Sequence, residues 1–389
     1  MTKTDATIGA IGLPAWVAGL ELVDHHCHSV LAADPDATAF GQLLTEGPRP
    51  APGADPFDSA LGLAVRRWCA PLLELPPLAP ASDYLARRAE LGFAEVTRRL
   101  LGATGTGTLL IDHGFQAKDL ITPVELGKLT GIAVAELVRL ETVAEQIAEQ
   151  LVTTRIGAAG YADAVAEEIQ RRATAAVGCK SILAYRYGFD VDPARPSPAE
   201  VRPAAARWLA TPERGRLIDP VLLRHVLWCG VDTGLPLQLH TGFGDPDEDL
   251  HRADPALLAG FCRATAESGT PLVLLHCYPY HRQAAWLAHV FEHVYFDVGL
   301  ASTFVGPSRA GTLLAEALEL APFGKLLYSS DAYGLPELYA VAAVAFRRAL
   351  AEVLDGWVTD QAATEQDAHR IARMLAADNA RRLYQLDRS

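Results

Sequence analysis

The sequence predicts an α/β fold, a (β/α)8 barrel, on three observations. Eight short and nearly continuous apolar runs recur along the chain, most of them end in a polar residue, and helical patterns separate them. Apolar runs of this length suit parallel strands covered on both faces. Their alternation with helices over about 250 residues describes a barrel, with a doubly wound open sheet as the competing architecture.

The runs are GLELVDHH (19–26), TGTLLIDHG (106–114), IAVAELVRLE (132–141) and VGCKSILAYR (177–186), then LPLQLH (235–240), PLVLLHC (271–277), VYFDVGL (294–300) and KLLYSSD (325–331). Ser82 is placed to cap one helix over DYLARRAELGFAEVTRRLL, where Leu85, Ala89, Phe93, Val96 and Leu100 recur at helical spacing. VAEQIAEQLV follows the third strand, PALLAGFCRATAES the fifth and RQAAWLAHVFEH the sixth, and EQDAHRIARMLAADNARRLYQL closes the chain as an amphipathic helix. Two segments break the rhythm. Residues 30–81, with the Pro/Gly-rich TEGPRPAPGADP, read as an insertion after strand one that caps the barrel mouth. DVDPARPSPAEVRP (190–203) reads as a second mouth loop. No repeat or linker divides the chain, so residues 1–389 are expected to form one domain.

Half of the residues are hydrophobic and 21% are charged, enough for a large core. A net charge of −13 argues against a general nucleic-acid surface, which needs clustered Lys and Arg. The cysteines at 27, 69, 179, 229, 262 and 277 form no C-x-x-C, which argues against a structural zinc module and a disulfide framework. MTKTDATIGAIGLPAW has neither a basic leader nor a long apolar core, and no run of about 18 apolar residues occurs. The expectation is a soluble, reduced, cytoplasmic protein with a small-molecule substrate and no membrane or nucleic-acid partner. A homo-oligomer is left open.

In a parallel barrel the active site lies at the C-terminal ends of the strands. Strand one ends in Asp24-His25-His26-Cys27-His28, strand five at His240, strand six at His276 and strand eight at Asp331. Strand alternation points His26 and His28 one way and His25 and Cys27 the other. Two imidazoles are thereby offered to one metal. His240 and Asp331 would complete an N/O ligand set that suits zinc, manganese or iron. His25 and Cys27 are then packing or supporting residues, and Asp24 a buried acceptor behind the ligands.

VDHHCH, LQLHTGFGD, LLHCYPYHRQ, LLYSSDAYGLPELY and the terminal NARRLY together resemble the metal-dependent amidohydrolase superfamily, in its amidohydrolase-2 branch. Within that branch the chain is similar to nodulin-like proteins and to the N-terminal half of FluG-type proteins, from about residue 20 to 386. In the latter such a barrel precedes a glutamine-synthetase-like module, which this sequence does not carry. The resemblance implies a distorted (β/α)8 TIM barrel with ligands His26, His28, His240 and Asp331, and with His276 near the substrate. It implies one divalent metal, zinc first and manganese or iron next. A second metal, expected less, would use Glu141 at the end of strand three, since Lys180 is read at the start of strand four.

A metal so held activates water. Asp331 is expected to take the proton and return it to the leaving atom, and His276 to polarise the substrate carbonyl. Arg186, beside Tyr185, is placed to fork onto a substrate carboxylate, its alternative being a salt bridge at the barrel rim, and Tyr278 is a further substrate-binding candidate from a mouth loop. Tyr280, Tyr333 and Glu337 lie in mouth loops, as pocket or packing residues. The expected activity is hydrolysis of a C–N bond in a small carboxylated amide. Decarboxylation or isomerisation of an organic acid is the alternative on the same site, and a non-catalytic partner of a synthetase-like protein is the third reading.

Overall fold

The computed structural model describes residues 13–48, 53–115, 117–154, 157–211 and 215–387. Most of the N-terminal stretch read for a leader, and the middle of the proline-rich insertion at 49–52, lie outside them. Seven parallel strands follow one another in a single sheet: β1 (Leu22–Cys27), β2 (Thr106–Asp112), β3 (Ala133–Arg139), β4 (Gly178–Ser181), β5 (Leu237–Thr241), β6 (Leu272–His276) and β7 (Val294–Phe296). The eighth apolar run forms no full strand. It still closes the sheet: Leu327 N donates to Phe296 O, His25 N to Tyr328 O and Asp331 N to His26 O. The result is an α/β barrel distorted at its last seam.

Side-chain alternation sorts each strand into two faces. Val23, Leu110, Leu137, Val273, Leu275 and Leu327 come from four strands and the last apolar run, and form one cluster with Ala377, Ala380, Leu383 and Tyr384. Residues so far apart around the sheet meet only inside the barrel, so the C-terminal helical segment plugs one end of it. Leu22, Cys27, Leu109, Ile111, Val138, Cys179, Leu239 and Leu274 belong to the larger cluster under the surrounding helices.

Several boundaries differ from the sequence reading. The fourth run holds only four strand residues and then turns into a short helix, Leu183–Arg186. The helix expected after Ser82 is two helices, Ala81–Leu91 and Phe93–Ala103, broken at Gly92 with φ +77°. That conformation is open to glycine and ends a right-handed helix. Ser82 lies inside the first of them and bonds Asp83 rather than capping. The loop read over 190–203 ends early, because Ser197 and Glu200 form a capping box that starts the helix Pro198–Ala210.

The insertion does cover the mouth. Its buried anchor is Glu337, whose Oε1 accepts from Tyr84 Oη at 2.9 Å and from Arg88 Nε at 2.7 Å. Arg88 also reaches Asp34 at 2.6 Å, so the insertion is tied to the helix Pro336–Thr359 by a paired and hydrogen-bonded buried charge. All six cysteines are buried and unpaired. No helix among the described residues is long and apolar enough to cross a membrane.

Candidate metal centre

The strand ends surround a cavity of about 660 Å³ whose lining includes His28, Lys180, His240, His276 and Asp331. β1 supplies its residues through an irregularity. The β1–β2 register shifts between Asp24 and Cys27, so His25 and His26 both point inward. Gln238 and Tyr384 show this, since Gln238 Oε1 accepts from His26 Nδ1 at 2.7 Å and the Tyr384 hydroxyl, inside the barrel, meets His25 Nδ1 at 3.1 Å. Simple alternation put His25 with Cys27 on the opposite face. Cys27 does face outward, but His25 sits inside the barrel below His26, donating through Nε2 to Asp297 at 2.9 Å.

His276 reaches the site by a second backbone device. Val273 and Leu275 face inward, so alternation alone would turn His276 out. Its φ of +68°, followed by +58° at Cys277, turns it back toward the mouth. Left-handed backbone at a non-glycine is strained and collects at functional positions. Asp331 has φ +49°. Beside it, Asp24 accepts from Ser330 N at 2.9 Å and from the Ser330 hydroxyl, which fixes the turn that carries Asp331. Burial pushes the Asp24 carboxyl up to about 7 against the lowering effect of these bonds.

Asp331 is the hub. Its Oδ1 lies 3.1 Å from His26 Nε2 and 3.4 Å from His28 Nε2, and its Oδ2 lies 3.5 Å from His276 Nε2. His26 gives its Nδ1–H to Gln238 and His28 gives its own to Asp112 O at 2.9 Å. Both Nε2 atoms therefore present lone pairs. Burial, then Lys180, pulls the His26 pKa down to about 3, so its ring is neutral. Lone pairs facing a carboxylate, with Asp331 Oδ1 and both His276 nitrogens lacking a hydrogen-bond partner, are a poor arrangement unless a cation sits among them. His26, His276 and Asp331 bring their ligand atoms within 4.8 Å of one another, as do His26, His28 and Asp112. The donor set fits a divalent metal.

Of the four expected ligands, the structure brings His26, His28 and Asp331 together. His240 is next to them but turned aside, its Nε2 2.9 Å from Glu248 Oε2 and its ring 4.3 Å from Tyr185. His276, expected nearer the substrate, enters the ligand group instead. Glu141 is not gathered with the histidines. It lies in the first turn of the helix Leu140–Thr153, where its Oε1 accepts from Ser181 Oγ and Ile182 N. Lys180 was misplaced by the strand boundary. β4 ends at Ser181, so Lys180 lies near its end, facing inward with Nζ 3.4 Å from His26 Nε2. Burial lowers its pKa to about 8.

The substrate-facing residues divide. Tyr185 and Arg186 line the cavity. The Arg186 side chain is only 7% exposed; one nitrogen reaches Glu145 at 3.2 Å, and Nε and Nη1 have no partner. Tyr278 is 37% exposed, stacks on His281 and does not line the cavity. The bend at the end of β6 carries it away. Tyr333 lines the cavity, whereas Glu337 serves the insertion. Four residues were missed: Asp112, Arg139, Gln238 and Glu46. Asp112 and Arg139 are paired at 2.6 Å, and both follow the inward parity of Leu110 and Leu137. Gln238 shares a face with His240, two residues on. Only Glu46, from the insertion, carried no periodic signal.

A parallel barrel that gathers three histidines and an aspartate at the C-terminal ends of its strands has the architecture of an enzyme site with a place for a metal. Residues 126–386 match the Amidohydrolase family, in its second branch, and the chain belongs to that family. It is 29% identical to Protein fluG of Emericella nidulans over 94% of this chain and 46% of that protein, so it spans about half the length of this relative. A protein of Lactobacillus casei ATCC 334, provisionally classed as a metal-dependent hydrolase, has a similar structure. The TM-score is 0.83 with 31% identity, over 95% of this chain and 96% of the other. Glucuronate isomerase from Caulobacter crescentus, at 16% identity and a TM-score of 0.64 over 100% and 96% of the two chains, shares the fold.

Proposed function

We propose that the chain is a metal-dependent hydrolase that opens a C–N, amide-type bond in a small carboxylated substrate. The observation that carries this reading is the convergence of the His26, His28 and His276 Nε2 atoms on Asp331, with two of the rings locked from behind by Gln238 and Asp112 O. Zinc is the first choice for these ligands, with manganese or iron as alternatives. A metal held by His26, His28, Asp331 and His276 or His240 supplies Lewis acidity toward a carbonyl and toward water.

The chain's own groups do the rest. Asp331, buried at the hub, accepts the proton of the attacking water and returns it to the leaving nitrogen. Where His276 keeps a ring N–H toward the cavity, that group steadies the developing oxyanion. Arg186, which lines the cavity with Nε and Nη1 unpartnered, attracts the substrate carboxylate by its charge and through one of these N–H groups. Tyr185 packs on His240 and closes that side of the cavity. Elemental analysis of the purified protein, with turnover of carboxylated amides by the wild type and by Asp331→Asn, tests the reading. Metal-dependent turnover that drops by about 10³-fold in the variant is expected. Wild-type protein without metal and without metal-dependent amide turnover would overturn it.

A further inference from the structure

Arg186 is carried by a turn that does not hold itself. β4 stops at Ser181, and Tyr185 and Arg186 ride on the single helical turn Leu183–Arg186. One turn of helix fixes several backbone angles for few hydrogen bonds and is unstable alone. Its direction therefore has to be set from outside. The setting matters, because a long arginine side chain magnifies any error at its root.

The support comes from behind the cavity wall. Glu141 is buried in the first turn of the helix Leu140–Thr153. Its Oε1 accepts from Ser181 Oγ at 2.6 Å and from Ile182 N at 3.1 Å, and Ser181 Oγ in turn accepts from Leu183 N at 3.2 Å. One carboxylate oxygen thus ties together the last residue of β4, the residue after it and, through the serine, the first residue of the turn. One helical turn further along, Glu145 Oε1 accepts from Leu217 N at 2.8 Å and meets Arg186 Nη2 at 3.2 Å. Glu145 lines the cavity with Arg186, whereas Glu141 does not. Burial raises the Glu141 carboxyl, against the bonds from Ser181 and Ile182 and the charge of Arg186. A carboxylate buried at such a cost, away from the histidines, is accounted for by the segment it holds.

Resting on the carboxylate role given to Arg186 above, we propose that Glu141 and Ser181 are positioning residues for the substrate carboxylate. They act through the Leu183–Arg186 turn, aim Arg186 into the cavity and hold no metal. The preference for a carboxylated substrate is then set in part by two side chains that the substrate does not touch.

Calorimetric titration of the metal-loaded full chain with butyrate and with its neutral isostere butyramide tests this. Arg186→Gln is expected to weaken butyrate about tenfold and to leave butyramide within about twofold. Glu141→Ala and Ser181→Ala should each weaken butyrate by about five- to tenfold, again sparing butyramide, with metal content by elemental analysis unchanged. Added to Arg186→Gln, either should weaken butyrate by less than about twofold more, because residues that act through one another are not additive. Glu141→Gln keeps an acceptor oxygen and should recover most of the loss. A merely structural role would lower the affinity for both probes, and its effect would add in full to that of Arg186→Gln. Either result overturns the proposal, as does loss of metal from Glu141→Ala or unchanged butyrate binding in the alanine variants. Ser181→Ala removes a single hydroxyl and keeps the test readable should Glu141→Ala fail to fold. Unchanged butyrate binding in Arg186→Gln would remove the carboxylate role of Arg186 and the proposal with it. Binding is read without turnover, so these couplings without any amide hydrolysis would remove only the reaction class.

Discussion

The barrel holds two histidine–aspartate layers, one above the other, built from neighbouring residues of β1. The lower layer is His25 with Asp297, Tyr384 and Gln238. There Asp297 Oδ1 accepts from His276 N and Gly299 N at 2.8 Å, its Oδ2 accepts from His25, and Tyr384 Oη meets His25 Nδ1. The upper layer is His26, His28, His276 and Asp331, where the same residue types leave acceptors facing acceptors and polar atoms without partners. The lower layer is complete as it stands, which makes it structure. The upper layer is completed by something bound, which makes it a site.

The largest effect should come from emptying the upper layer. The double variant His26→Ala, His28→Ala is expected to lose its metal and about 10⁴-fold in turnover while its far-UV circular dichroism stays that of the wild type. Next comes the lower layer, where Asp297→Ala leaves a buried imidazole and two backbone N–H groups unpaired. Chemical denaturation should show a loss of about 3–5 kcal/mol, with metal content at pH 7 retained in the folded fraction. If that variant instead kept its stability and lost its metal, the two layers would be one site.

Gln238 joins the layers, and Gln238→Leu should show both effects in smaller measure. Metal affinity is expected to fall about 10- to 100-fold in a competition titration, and stability by about 1–3 kcal/mol. Acid should act through the complete contacts. Burial would raise the Asp297 and Asp112 carboxyls, but His25 and Arg139 respectively more than offset it and hold both below their usual range. Their stabilisation is therefore present above about pH 4, where the unfolded chain is ionised, and is lost as pH falls toward the lower folded values. Denaturation midpoints from pH 7 down to pH 3 check the sign. The smallest effect belongs to Tyr278→Ala, outside the cavity, which should change kcat/KM by less than about twofold and stability by less than about 0.5 kcal/mol.

Much of the barrel and half of the centre were legible in the sequence, and the rest was hidden for identifiable reasons. His26, His28, His276 and Asp331 announce themselves because a polar residue at the end of a buried strand has few other uses. Asp112, Arg139 and Lys180 obey the same parity, but their visibility depends on where β2, β3 and β4 stop, and apolar runs blur strand ends by several residues. The inward turn of His25 depends on a register slip, and the return of His276 on a left-handed residue; neither leaves a mark in composition. Glu46 comes from a segment with no period at all, so only the packing of the insertion over the mouth shows what it faces.

The seam where the barrel closes has a consequence for how the protein holds itself together. Between β7 and β1 the last run forms no full strand, and Asp331 sits on that run while His26 lies on β1 and His28 just past its end. A cation shared by these residues would act as a clasp across the closing join of the wall, fastening residue 26 to residue 331 beside the backbone bonds from His25 N to Tyr328 O and from His28 N to Ala332 O. Loss of the ion would then be felt first as a loosening of that join, well before the rest of the cylinder gives way.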